Sequence, residues 1–143
     1  MLATPTPAAE DRMLYAIICY NNEAEISDWS PEEDAERIGR LIEVQHGWAE
    51  QGRLGPVVRL DFTPSATTLR KSQGGPPVVV DGPFAETKEA LLGIYILDCA
   101  TMEEAIEAAK ELARANPDNG SYEIRPVRTY RPAPANSPEG VSQ

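Results

Sequence analysis

Histidine occurs once and cysteine twice in this chain of 143 residues, and no stretch of it is both long and apolar. Each shortage excludes something. Two cysteines, Cys19 and Cys99, are too few for a disulfide-stapled secreted scaffold, and a chain of this length buries a core without staples. They read as free thiols packed as small hydrophobes. Adding the single histidine, His46, still leaves too few ligands for a zinc site, so no metal is expected. Thirteen Lys and Arg stand against twenty-three Asp and Glu, a formal net charge of −10. The basic residues are scattered without a run, which argues against a phosphate-backbone partner, so no nucleic acid is expected. No apolar stretch approaches the ~20 residues needed to cross a bilayer, and no membrane span is expected. The opening, MLATPTPAAEDR, is acidic and lacks an apolar segment, unlike a secretory signal. The expected location is cytoplasmic. A P-loop, a G-x-G-x-x-G fingerprint and a nucleophile elbow are all missing, so no cofactor is called for.

What remains is the composition of one ordinary globular domain, 41% hydrophobic and 25% charged. Residues 1–12 are Pro- and Ala-rich and read as a flexible arm. Residues 131–143, RPAPANSPEGVSQ, read as a flexible tail. A single domain is expected over residues 13–130.

Within it, Leu14 to Tyr20 is an apolar run of strand length that suits a central strand buried on both faces. Ser30-Pro31-Glu32-Glu33 is a capping box with proline at the first helical position. Ala35, Ile38, Leu41, Ile42, Gln45, Trp48 and Ala49 then form one helical stripe that Gly52 terminates. Leu54 to Phe62 reads as a strand. Thr67 to Lys71 and Pro77 to Val80 read as a hairpin around Gly74-Gly75. Gly93 to Asp98 is a further apolar strand. Thr101-x-x-Glu104 opens a second long helix, Asn116-Pro117 stops it, and Ser121 to Val127 closes the domain as a strand.

Without the hairpin the order is strand–helix–strand twice. That is the ferredoxin-like split βαβ, an α+β fold with an antiparallel sheet and both helices on one face. Its first and third strands are expected to be neighbours and parallel, with Cys19 and Cys99 near the same end. Leu14, Ala16 and Ile18 face one way and Tyr15, Ile17 and Cys19 the other, so both faces of the first strand are apolar. Two helices cover only one face. A second copy of the chain is the simplest cover for the other, which makes a homodimer the expectation.

The segment that carries chemistry is Asp81-Gly82-Pro83-Phe84. An Asp usually closes such a turn by accepting from the N–H two residues on. Pro83 has none, so the carboxylate must reach Phe84 or Ala85 N–H, or face outward. Asp81 is expected to end a strand, bond those N–H groups and line the largest cleft. It then either caps a short turn or serves as an acceptor or general base. Arg70, just before that strand, either pairs with Asp81 in solvent or holds an anion. Lys88 reads as a solvated loop charge or an anion ligand. Tyr15 and Tyr95, on the two central strands, read as interface or cavity lining rather than catalytic acids.

The run from Val80 to Glu89, VDGPFAETKE, with Leu92-Gly93-Ile94-Tyr95 behind it, resembles the signature of the DGPF branch of YCII-related proteins. Leu14 to Tyr20, Ala66 to Arg70 and Glu123 to Val127 are similar to segments at matching places in that family. The resemblance covers Met13 to about Val127 and implies a dimeric α+β barrel of ferredoxin-like subunits. It also implies a cleft holding an acidic residue and a histidine, as in relatives suspected to be enzymes. Asp81 matches the acidic residue directly. His46 matches no motif position, and a His–Asp dyad would need it to lie across the dimer cleft. Two readings of function follow. The first is a small-molecule-binding protein, or a cofactor-free enzyme, working near the DGPF loop with Asp81, His46, Arg70, Gly82, Pro83, Phe84, Lys88, Tyr15 and Tyr95 as candidate site residues. The second is a regulatory interaction module with a protein partner in transcription, since some DGPF members are encoded beside sigma factors.

Overall fold

Two strands that are apolar on both faces must lie inside a sheet, and β1 (Met13–Asn21) and β5 (Ala90–Cys99) do so. The structure, a computed structural model, describes residues 13–133, so the expected arm and residues 134–143 of the expected tail lie outside the described residues. Along the chain come β1, the short helix α1 (Glu23–Ser27), α2 (Pro31–Glu50), β2 (Leu54–Arg59), a 3-10 turn at Thr63–Ser65, β3 (Thr67–Arg70), β4 (Val78–Asp81), β5, α3 (Met102–Ala115) and β6 (Ser121–Pro126). The main sheet has the order β2-β5-β1-β6, and every neighbouring pair is antiparallel. β3 and β4 form a separate two-stranded antiparallel hairpin. Over the described residues the chain is therefore α+β, with one four-stranded antiparallel sheet, a hairpin and three α-helices. Among the described residues no helix is long and apolar enough to cross a membrane.

The central pair corrects one expectation. β1 and β5 are neighbours but antiparallel, so Met13 lies opposite Cys99 and Cys19 opposite Gly93. The crossover through α2 returns the chain parallel to β1, and β5, which fills the gap between β1 and β2, must run against both. The two cysteines therefore sit at opposite ends of the pair, and both are free thiols.

Both long helices start where their sequences say they should. Ser30 Oγ accepts from Glu33 N and the Glu33 carboxylate accepts from Ser30 N, a reciprocal box at the start of α2. Thr101 accepts from Glu104 N at the start of α3. Gly52 takes φ +71, which a side chain resists, and so lets Arg53 N bond back to Trp48 O. The polar stretch after β1 is partly helical. Asn22 caps α1 through Ala24 N, and the Glu23 carboxylate accepts from both the backbone N–H and the hydroxyl of Thr63, pinning α1 to the 3-10 turn. β2 is shorter than expected, because Asp61 turns onto Phe62 N and the chain enters that turn.

The core lies between the helices and one sheet face. Ile17 and Leu97 are fully buried against Trp48, Leu112 and the small face Ala105, Ala108 and Ala109 of α3. Trp48 and Tyr95 meet edge to face, with ring centroids 5.9 Å apart and planes at 89°. The opposite face carries Ala16, Ile18, Ile94 and Ile96 in register, with Val58 at its edge. Neither long helix reaches it, and Val58 is 47% exposed.

Candidate ligand cavity

The only residue of α2 that is fully buried is Trp48, near its C-terminal end, so the N-terminal half of the helix stands off the sheet. Beneath it lies a cavity of about 740 Å³, a size that suits a small organic ligand. Ile38, Leu41 and Gln45 form its roof, and Cys19, Tyr95, Tyr122 and Val57 its floor. The register explains the floor, since Cys19 lies opposite both Gly93 on β5 and Tyr122 on β6. A Cβ on Gly93 would stand 3.0 Å from Val58 O, so glycine keeps β2 close. Gly120 shapes the far end. A Cβ there would meet Tyr20 O at 2.5 Å, so only glycine lets the loop before β6 approach the end of β1 so closely. Asp118 ties that loop down by accepting from Asn21 Nδ2 at 2.7 Å, Asn116 Nδ2 at 3.1 Å and Gly120 N at 2.8 Å.

Burial sets the chemistry of the floor. It pushes the Cys19 thiol up to about 12, helped by the negative charge of Asp118. Burial also raises Tyr95 to about 12, with the neighbouring Cys19 adding to the rise and the Gln45 hydrogen bond and Arg59 opposing it. Tyr122 is raised too, by burial first and then by Cys19 and Tyr95. At neutral pH the floor thus presents uncharged S–H and O–H groups. Burial disfavours the Cys19 thiolate, and the three groups offer hydrogen-bond donor and acceptor capacity to the cavity. At the mouth, Arg59 pairs with Asp34 at 2.9 Å. The Arg37 guanidinium lies 4.0 Å over the Trp29 ring and donates to Asn116 Oδ1 at 2.9 Å. Among the described residues no three His, Cys, Asp or Glu side chains cluster as metal ligands would.

Of the residues singled out in the sequence, Tyr95 stands in the wall of this cavity. Tyr15 shares its sheet face but is buried in the core, 4% exposed. Asp81 does end β4, yet its carboxylate is exposed and bonds neither Phe84 N nor Ala85 N. The turn closes without it. Gly82, at φ +108, donates its N–H to Ala66 O at 2.7 Å and accepts from Thr68 Oγ1 at 2.8 Å, which leaves the carboxylate facing solvent. Nor does the Asp81 loop line the cavity beneath α2, and the hairpin that carries it is separate from the main sheet. Pro83, Ala85 and Glu86 border a smaller hollow of about 270 Å³ beside Glu23 and Thr63. Phe84 is 75% exposed, and the Arg70 guanidinium sits 5.7 Å over its ring rather than on Asp81. Lys88 is exposed, as is His46 on the outer side of α2, and neither His46 nor Asp81 borders either hollow.

Sequence reasoning missed most of this wall. Trp29, Arg37, Asn116, Asp118 and Tyr122 come from three separate stretches and share no motif. One signal was present, a glutamine, Gln45, in an otherwise apolar helical stripe that faces the sheet. A polar group there needs a polar neighbour, and Tyr95 supplies it.

The model of the YCII-related domain matches residues 13–131 of the chain. An uncharacterized protein of Rhizobium meliloti (strain 1021) is 53% identical over 120 residues, which span 84% of this chain and 96% of that protein.

Proposed function

The chain belongs to the YCII-related domain family, and within it we propose that this protein binds a small molecule in the cavity beneath α2. The observation that carries this reading is the convergence of three neutral polar groups, on Cys19, Tyr95 and Tyr122, on the floor of a hollow that has apolar walls at Ile38, Leu41 and Val57 and charged groups such as Asp34, Arg37, Arg59 and Asp118 around it. Ligand sites have that character: apolar walls with a few placed polar groups. The test is native mass spectrometry of the protein as purified from its host, with Leu41→Trp as the blocked control. A retained small molecule lost in the variant supports the reading. Equal retention by both forms refutes it.

The strand order supports a ferredoxin-like split βαβ with the β3–β4 hairpin inserted, and the VDGPFAETKE run supports the DGPF branch. We read the sheet face away from the helices, where Ile18 is already buried but Ala16, Ile94 and Ile96 are half-buried, as the seat of a second copy, giving a dimeric α+β barrel. Ile94→Lys should then yield a monomer in sedimentation equilibrium, and a monomeric wild-type protein overturns the reading. Acid chemistry at Asp81, alone or with His46, would need a cleft completed by that second copy. The regulatory alternative draws on the hairpin, where Leu69, Val79 and Phe84 are 56%, 64% and 75% exposed. Capture of a sigma factor that Val79→Asp abolishes would favour it.

A further inference from the structure

Resting on the cavity reading, we propose that its ligand is an apolar-bodied carboxylate whose anionic end is held by Arg37. The charged groups at the mouth differ in how far their bonding capacity is already used. Asp34 is engaged by Arg59 at 2.9 Å. Asp118 accepts three hydrogen bonds, from Asn21, Asn116 and Gly120. Asp61, in the same lining, accepts from Phe62 N. Of the two arginines in the lining, Arg37 has the more bonding capacity left. Of its five N–H donors one goes to a neutral amide oxygen, Asn116 Oδ1 at 2.9 Å, and no carboxylate is paired with it among the described residues.

The guanidinium is also held in place. It lies over the Trp29 ring, 4.0 Å from its centroid, and the Asn116 amide that it bonds is itself oriented by Asp118, which accepts from Asn116 Nδ2 at 3.1 Å. With the amide nitrogen committed to Asp118, the amide oxygen must face Arg37. A planar fork fixed in this way loses little freedom on binding a carboxylate with two parallel bonds. Below it the wall turns apolar through Ile38 and Leu41 and then reaches the neutral Tyr95 hydroxyl. A ligand matched to that sequence of surfaces has an anionic head and an apolar, preferably aromatic, body. The net charge of −10 opposes such a ligand at long range, where physiological salt screens it beyond about 8 Å, while Asp34, Asp61 and Asp118 in the lining confine the anion to the Arg37 side.

Calorimetric titration with three probes of one shape tests this: trans-cinnamate, trans-cinnamamide and cinnamylamine, at physiological salt. The wild-type protein should bind cinnamate at least about tenfold more tightly than the amide. Arg37→Met should bring the two within about twofold of each other, with the larger loss falling on cinnamate. Arg37→Lys keeps the charge but loses the planar fork and the stack on Trp29, so it should lower the preference at least about threefold. It serves as the readout should the Met variant not fold. Equal binding of amide and carboxylate, tightest binding of the amine, or a preference that survives at Arg37 variants overturns the assignment but leaves the cavity reading standing. Failure of all three probes to bind overturns both.

Discussion

Replacing Trp48 by phenylalanine sets two costs against one gain, and the structure supplies the terms. Trp48 is 1% exposed, and its indole N–H is buried without a hydrogen-bond partner among the described residues. Phenylalanine removes that orphaned donor, whose burial costs about 1–3 kcal/mol. Against this, the smaller ring forgoes roughly 1.5 kcal/mol of apolar transfer at about 0.8 kcal/mol per carbon. The void left behind, roughly 40 Å³ at ~24 cal/mol per Å³, adds about 1 kcal/mol. The edge-to-face contact with Tyr95 survives, because a phenyl ring can make it too. The sum is close to zero. Trp48→Phe should change the unfolding free energy by less than about 1.5 kcal/mol, whereas Leu112→Ala, which only creates a cavity, should cost about 2.7–5 kcal/mol. Urea unfolding followed by circular dichroism at one fixed protein concentration measures both, since a dimer's stability depends on concentration. A loss above about 3 kcal/mol for Trp48→Phe would mean that the indole N–H has a partner, such as a buried water, and would refute the reasoning. The variant has a second use, because it leaves Trp29, at the cavity mouth, as the sole tryptophan reporter of ligand binding.

Further outcomes follow from the same geometry. The Cys19 and Tyr95 values lie above their ordinary 9.0 and 10.0, at about 12, so the unfolded chain releases these protons first as pH rises. Their contribution to stability is therefore full below pH 9 and is lost as pH climbs toward about 12; melting temperatures should fall across that window, less steeply in Tyr95→Phe, and identical slopes would contradict the burial argument. Gly120→Ala places a methyl 2.5 Å from Tyr20 O, so the loop or β1 must shift, and a thermal melt should show a loss on the order of 1–3 kcal/mol together with weaker cinnamate binding. Ser30→Ala removes one side of the capping box and should cost about 1 kcal/mol in urea unfolding, with no change in cinnamate affinity. Asp81→Asn alters an exposed side chain away from the cavity, so stability should move by less than about 0.5 kcal/mol and cinnamate affinity not at all. Loss of cinnamate binding in that variant would mean that the wrong hollow has been assigned.

Local chemistry was enough to read most elements from the letters. The Ser30 and Thr101 caps and the positive φ of Gly52 act within a few residues of sequence, and each appears where its residues place it. The apolar stripes do so in part, since Ala35, Ile42 and Ala49 of α2 and Ile106 and Ala113 of α3 are exposed. The alternation of Leu14, Ala16 and Ile18 with Tyr15, Ile17 and Cys19 likewise announced a central strand with two apolar faces. The turn at Asp81 was half legible. Pro83 does deny the carboxylate its usual partner, but Ala66 and Thr68, which close the turn through Gly82, lie more than a dozen residues upstream. Strand direction, and with it the separation of Cys19 from Cys99, was settled by the insertion of β5 between β1 and β2, a constraint that exists only once the sheet is assembled. The cavity is of the same kind. Its floor joins residues 19, 95 and 122 through two strand registers, and its cation is held by Trp29, Asn116 and Asp118 across the gap between α2 and the loop after α3. Side chains so far apart along the chain acquire a common function only through packing, because hydrogen bonds and stacking act over a few ångströms of space.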